Sequence, residues 1–276
     1  MDNLQESLAD LHLGGIRYFE ITGSTNDEAA AWAETNAPDL ALVIANEQTK
    51  GRGRLNRRWY TPPNVALAFS LVLRQIGLDD PETQKYISRT TALGAVAVCD
   101  ALQGLYGIRA EIKWPNDVLV EHKKIAGILT EAQWYGEKLA SVVLGIGINV
   151  APSSLPPQSD LSFPATCLEE CLPPRQMDMT NTERIRLLHR VLRKLIDWRP
   201  LLNSVVFTRA WESRLSYRGE WVQVYQDIEE ATAGKPEPVI EGKVFGITAE
   251  GALQLLDRSG YLFTLQVGEI YLRPGG

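Results

Sequence analysis

Residues 110–150 read AEIKWPNDVLVEHKKIAGILTEAQWYGEKLASVVLGIGINV. Ala110 to Trp114 has the composition of a strand. Pro115-Asn116-Asp117 is a turn, since proline fixes its backbone angle. Val118 to Val120 is a strand again, and Glu121-His122-Lys123 is a polar hairpin tip. Ile125 to Trp134 and Leu139 to Val150 are two more strands around a Tyr135-Gly136 turn. Successive hairpins place a sheet with antiparallel neighbours at the centre of the chain.

Working outward, Arg17 to Ile21 is a short strand. Ser24 is expected to cap the next helix through its hydroxyl, and Asp27-Glu28 favour the positive helix start. Asn36-Ala37-Pro38 stops that helix. Leu40 to Ala45 reads as a buried strand. Asn46 to Pro63 holds two glycines, two prolines, a lysine and four arginines without any period. It reads as a long loop, functional or disordered until it binds. Ala66 to Leu73 is a strong strand. Pro81 to Tyr106 carries helical spacing, ended by Gly107. After a Pro- and Ser-rich excursion, Ala151 to Met179, come two helices, Asn181 to Trp198 and Val205 to Arg214.

From Tyr217 the character changes. Short strands are expected at 221–225, 239–247, 252–256, 261–267 and 269–272, punctuated by Gly234, Gly246, Gly251, Gly260 and Gly268. Such spacing suggests a small β-barrel. The fold class is α+β: a domain over 1–215 with a mixed or antiparallel sheet and helices, then a barrel over 216–276.

The 276 residues are 45% hydrophobic and 22% charged, so a full core needs no staples. A net charge of −6 argues against a general nucleic-acid binder, leaving Arg52 to Arg58 as a local basic site. Cys99 sits in an apolar run and reads as core. Cys167 and Cys171 read as a surface thiol pair, because no further ligands follow at zinc spacing. So few cysteines fit a reducing cytoplasm. Met1 to Glu6 lacks a basic and an apolar region, so no signal peptide is expected. No apolar run reaches the roughly 18 residues of a membrane span. His12, His122 and His189 are scattered, which leaves no triad or zinc site to build.

Four segments carry chemistry. Gly51-Arg52-Gly53-Arg54, with Arg57-Arg58-Trp59 behind it, offers close backbone approach and charged forks for phosphate. By itself it also fits a solvated basic loop, and it lacks Walker A spacing. Trp59 can stack on a flat ring or simply anchor the loop. Lys113-Trp114-Pro115-Asn116-Asp117 can present oxygens to Mg²⁺ or contacts to a nucleotide, or form a structural Asx turn. Lys124, three residues before Gly127, is a fixed cation or a hairpin charge. In Gly145-Ile146-Gly147-Ile148-Asn149 the glycines mark close approach of a ligand or of backbone. Ser24-Thr25-Asn26 and Gln48 suit a neutral polar headgroup such as a urea.

In this order, the segments resemble those of biotin protein ligases, over about Ile21 to Val150, with a looser match in the barrel. The resemblance implies an SH3-like barrel. It implies that Ser24, Thr25, Asn26 and Gln48 line the biotin headgroup, and that Gly51, Arg52, Gly53 and Arg54 close over biotin and the adenylate phosphate. Arg52 and Arg54 would neutralise charge as pyrophosphate leaves. Lys124 would meet the biotin carboxylate, above a floor of Gly127 and Gly145. Arg57, Trp59, Lys113, Asn116, Asn149 and Arg273 would serve ATP, with Asp117 at a metal. The implied reaction consumes ATP, with Mg²⁺, to make biotinyl-5′-AMP. It then biotinylates a lysine of a biotin carboxyl carrier protein domain, as in acetyl-CoA carboxylase. A cytoplasmic monomer or homodimer without membrane contact is implied. About 15 residues precede the first strand, too few for a helix-turn-helix, so no DNA binding is expected. A lipoate or octanoate ligase or transferase of similar fold is the alternative, and a nucleic-acid-binding protein using the arginine loop is the third reading.

Overall fold

In the computed structural model, β1 (Gly15–Thr22), β2 (Ala41–Gln48), β3 (Ala66–Leu73), β4 (Glu111–Lys113), β5 (Asp117–Val120), β6 (Lys123–Tyr135) and β7 (Lys138–Asn149) form one sheet. Its order is β1-β2-β3-β7-β6-β5-β4. Only the β1–β2 pair is parallel, so the sheet is mixed, as expected. The helices are α1 (Leu4–Ser7), α2 (Thr25–Glu34), α3 (Thr83–Tyr106), α4 (Asn181–Trp198) and α5 (Val205–Glu212). A second, antiparallel sheet holds β8 (Trp221–Tyr225), β9 (Ile240–Ile247), β10 (Leu253–Leu256), β11 (Leu262–Leu265) and β12 (Tyr271–Pro274). Its order is β11-β10-β9-β8-β12, the five short strands expected of the SH3-like unit. The structure describes residues 4–55, 57–74, 83–136, 138–157, 163–173, 181–225, 240–266 and 271–274. Gly234, Gly268, Glu269 and parts of the 151–179 excursion lie outside them.

Period-two alternation gives the large sheet two unlike faces. Leu42 and Ile44, Phe69 and Leu71, Ile128, and Leu144, Ile146 and Ile148 pack into the main core with α3 and α4. Small residues let α3 lie close, and a Cβ on Gly94 would already touch Ile128 at 3.0 Å. The alternate positions face the other way. There Val43, Val72 and Val143 meet Ala29 and Ala33 of α2. Beyond that small cluster the same face carries Ser70, Gly127, Gly145 and Gly147. The face is therefore bare beyond the N-terminus of α2, and this makes room for a cavity.

Several expectations are corrected. β2 continues past Ala45 to Gln48, with Asn46 and Gln48 buried. Ser24 occupies the helix-capping position, but its side chain makes no capping bond. Cys167 is buried rather than a surface thiol, because its segment folds back under β6 and β7. The basic stretch after Gln48 is a narrow ribbon. Gln48 pairs with Thr61, Trp59 N–H donates to Gly51 O at 2.9 Å, and Gly53 N–H donates to Arg57 O at 2.7 Å.

Trp114, buried after β4, donates Nε1–H to Gly251 O at 3.0 Å. The second sheet is thereby bonded to the residue that opens the Pro115-Asn116-Asp117 turn. Trp114→Phe should lower unfolding free energy by about 1–3 kcal/mol, the usual range when a buried acceptor loses its donor. A urea midpoint equal to the parent's would contradict this.

Candidate active site

The bare face opens into a cavity of about 490 Å³ lined by all four chemistry-bearing segments. At one end the β1–α2 junction, β2 and β3 build a polar wall. Thr25 donates its backbone N–H and its hydroxyl to Gln48 Oε1, at 2.8 and 3.1 Å. Gln48 Nε2 donates to Thr61 at 3.0 Å. Ser70 Oγ lies 2.8 Å from Thr25 Oγ1 and donates to Asn26 Oδ1 at 2.6 Å. Freed from capping, Ser24 also lines the cavity.

The floor is glycine. Gly127 and Gly147 are register partners on β6 and β7, and the Trp59 indole lies across them. A Cβ on Gly147 would come within 2.3 Å of Trp59 Cε2 and Nε1, and one on Gly145 within 2.1 Å of Asn26 Oδ1. A side chain at either position would therefore have to displace Trp59 or Asn26.

At the other end Lys124 Nζ lies 2.6 Å from Asp117 Oδ1 and 5.4 Å from the centre of the Trp59 ring. Burial pushes the Asp117 carboxyl up. The charges of Lys124 and Lys113, the Lys124 hydrogen bond and the Arg57 charge outweigh it and hold the pKa below the usual carboxylate range. Asn116 is tied to β6: its Nδ2 donates to Ile128 O at 3.0 Å, and Ile128 N–H donates to Asn116 O at 2.9 Å. Its Oδ1 faces Arg54 Nη1 at 3.4 Å. Asn149 Nδ2 donates to Thr166 O at 3.0 Å, which ties the returning 163–173 segment to β7. Lys113 Nζ sits 4.0 Å from the centre of the Phe163 ring in that segment.

Every proposed site residue except Gly51 and Arg273 lines the cavity. Gly51 closes the ribbon behind it through the Trp59 bond. The Arg273 side chain lies outside the described residues. Arg52 points toward carboxylates, donating to Asp27 and, at 3.0 Å, to Glu131. The Asp27 hydrogen bond, against some desolvation and together with the Glu131 charge, raises its pKa further above the ordinary guanidinium value. Sequence reasoning missed Ser70, Phe163 and Glu131. Glu131 was visible in principle, lying four residues past Gly127 on the same strand face.

Among the described lining residues Arg52, Arg54, Arg57, Arg58, Lys113 and Lys124 are cationic, and Asp117 is the one carboxylate. In a chain of net charge −6 this is a strong local reversal. It suits an elongated ligand with a neutral polar head and an anionic tail.

Residues 18–149 match the model of the biotin/lipoate A/B protein ligase family. The biotin–[acetyl-CoA-carboxylase] ligase of Mycobacterium tuberculosis is 34% identical over 212 residues, covering 71% of each chain. The chain belongs to the biotin protein ligase family. Another relative, the bifunctional ligase/repressor BirA of Bacillus subtilis, is 41% identical over 155 residues, which are 55% of this chain and 46% of that protein. The chain thus spans just under half the length of that relative. A biotin protein ligase from Aquifex aeolicus, solved in complex with biotin and ATP, superposes with a TM-score of 0.72 at 27% identity. The superposition covers 95% of this chain and 99% of that one.

Proposed function

We propose that this biotin protein ligase family member activates biotin with ATP to biotinyl-5′-AMP and transfers biotin to a lysine of a carboxylase carrier domain. The observation that carries the reading is the cationic end of the cavity facing a hydroxyl-and-amide wall across a glycine floor. Ser24, Thr25, Asn26 and Gln48 would hold the ureido headgroup. Gly127 and Gly145 would leave room for the acyl chain. Lys124 would draw the biotin carboxylate to the α-phosphate, and Arg54 would stabilise charge as pyrophosphate departs. Arg57, Lys113, Asn116 and Asn149, which line the cavity, would contact the nucleotide, and Trp59 would meet its adenine or remain as floor. Arg273 is proposed for ATP on the resemblance alone.

A metal held by Asp117 does not fit the residues present. Its carboxylate is already matched by Lys124 and Lys113, and no group of three or more His, Cys, Asp or Glu able to hold a metal occurs among the described residues. Magnesium is read as part of MgATP, carried on the phosphates. All lining residues precede position 166, which supports assigning catalysis to 1–215 and a supporting role to 216–276.

The test is biotin-dependent ATP–pyrophosphate exchange, with lipoate and octanoate in parallel. Exchange with biotin alone is expected; exchange with lipoate or octanoate alone would overturn the substrate. Arg54→Ala should release the adenylate about tenfold faster, one charge-assisted contact being worth roughly 1.5 kcal/mol. A variant with the parent's release rate would remove Arg54 from the clamp.

A further inference from the structure

The carboxylate of Glu131 does two things at once. It accepts Arg52 Nη2 at 3.0 and 3.1 Å, and it accepts Asn26 Nδ2 at 2.6 Å. The first contact belongs to the arginine ribbon. The second belongs to the headgroup wall. Asp27, next to Asn26 on α2, takes the other Arg52 nitrogen.

An ionised carboxylate can only accept hydrogen bonds. Glu131 therefore fixes the Asn26 amide, with nitrogen toward Glu131 and oxygen toward Ser70. The Ser70 hydroxyl then donates to Asn26 Oδ1 at 2.6 Å, with Thr25 Oγ1 2.8 Å from the same Ser70 oxygen. The orientation of Asn26 and Ser70 is thus set by one charge 14 residues beyond Asp117. The same charge grips the ribbon.

We propose that Glu131 is a positioning residue that couples the two parts: by holding Arg52 and orienting Asn26 with one carboxylate, it makes ribbon closure and headgroup recognition a single event. Arg52 acts in this scheme as the ribbon's latch, its charge matched by Asp27 and Glu131. The inference rests on the proposed biotin reading for its ligand, but the latch itself is readable without ligand.

The experiment compares the full-length parent, Glu131→Gln, Arg52→Gln and the double variant. Amide hydrogen exchange over 49–61 is measured without ligand, and then biotin binding and exchange kinetics are measured. Glutamine keeps the shape and removes the charge. Faster ribbon exchange is expected in Glu131→Gln, with biotin KM raised about tenfold and kcat changed less than about threefold, as for loss of one partly exposed charge-assisted pair. The melting temperature should stay near the parent's, and the double variant should be no worse than either single one. Parent-like ribbon exchange in Glu131→Gln would overturn the latch. Faster ribbon exchange with unchanged KM would overturn the coupling. Additive single effects would show that Glu131 and Arg52 act separately. A parent that fails to bind biotin would instead count against the ligand reading, and the ribbon measurement would still decide the latch.

Discussion

Lys124→Ala should lower biotin-dependent pyrophosphate exchange by about 10³-fold, the scale on which one preorganised cation at a developing charge acts. The ammonium stands at the cationic end of the cavity, 2.6 Å from Asp117 and 5.4 Å from the centre of the Trp59 ring. Its removal has a second effect. Asp117 has a side chain only 14% exposed, and it would keep its charge with its nearest partner gone. In the parent, the depressed pKa contributes stability that is full above the unfolded carboxylate range and is lost as pH falls through the folded value. The variant's stability deficit should therefore shrink on acidification. Adding Asp117→Asn separates the two effects, since it should restore stability at neutral pH and leave exchange impaired. Biotin affinity unchanged in Lys124→Ala would falsify the assigned role. Lys124→Arg is expected to recover little, because a planar fork cannot replace a compact point charge in this gap.

Gly147→Ala should cost about 1–3 kcal/mol of stability, the range for overpacking, and weaken biotin binding about 100-fold. The new methyl would stand 2.3 Å from the body of the Trp59 indole, so either the ring leaves the floor or β7 shifts. Gly127→Ala, whose nearest contact with that ring is 3.0 Å, should be much milder. A double-mutant cycle with Trp59→Ala assigns the cause. Stability loss in Gly147→Ala that is strongly non-additive with Trp59→Ala places the clash at the ring. Full additivity, or parent-like binding in Gly147→Ala, would mean that the ring does not rest there in solution.

The meander was legible because Leu144-Gly145-Ile146-Gly147-Ile148 alternates between a packing residue and none, a pattern that fixes both the strand and its bare face. The bounds of α4 were legible from a clean amphipathic period. β2 was cut short in the sequence because Asn46 and Gln48 are polar. Gln48 is buried at the cavity wall and Asn46 is buried against Arg184 of α4, so at both positions the usual link between polarity and solvent breaks down. The ribbon was read as a long loop because its ladder is made of main-chain bonds between Gly51 and Trp59 and between Gly53 and Arg57, which no side-chain period records. Ser24 looked like a helix cap for a sound local reason, yet it makes no capping bond and lines the cavity instead. Glu131 shares a strand face with Gly127, but nothing local says that an arginine from 79 positions earlier will meet it.

The sheet order has a thermodynamic consequence. Ser24, Thr25 and Gln48 belong to the β1–β2–β3 half, whereas Asn116, Asp117 and Lys124 belong to the sequence-local β4–β7 half. Within the sheet the two halves meet along one seam, the antiparallel pairing of β3 with β7 from Ala66–Asn149 to Leu73–Val142. Neither half encloses a cavity alone. A molecule reaching from the polar wall to the lysine binds only chains in which the seam is zipped, so its affinity is added in full to the free energy of keeping the halves together. The substrate is then also a cross-link, and the protein is most firmly assembled when it is occupied.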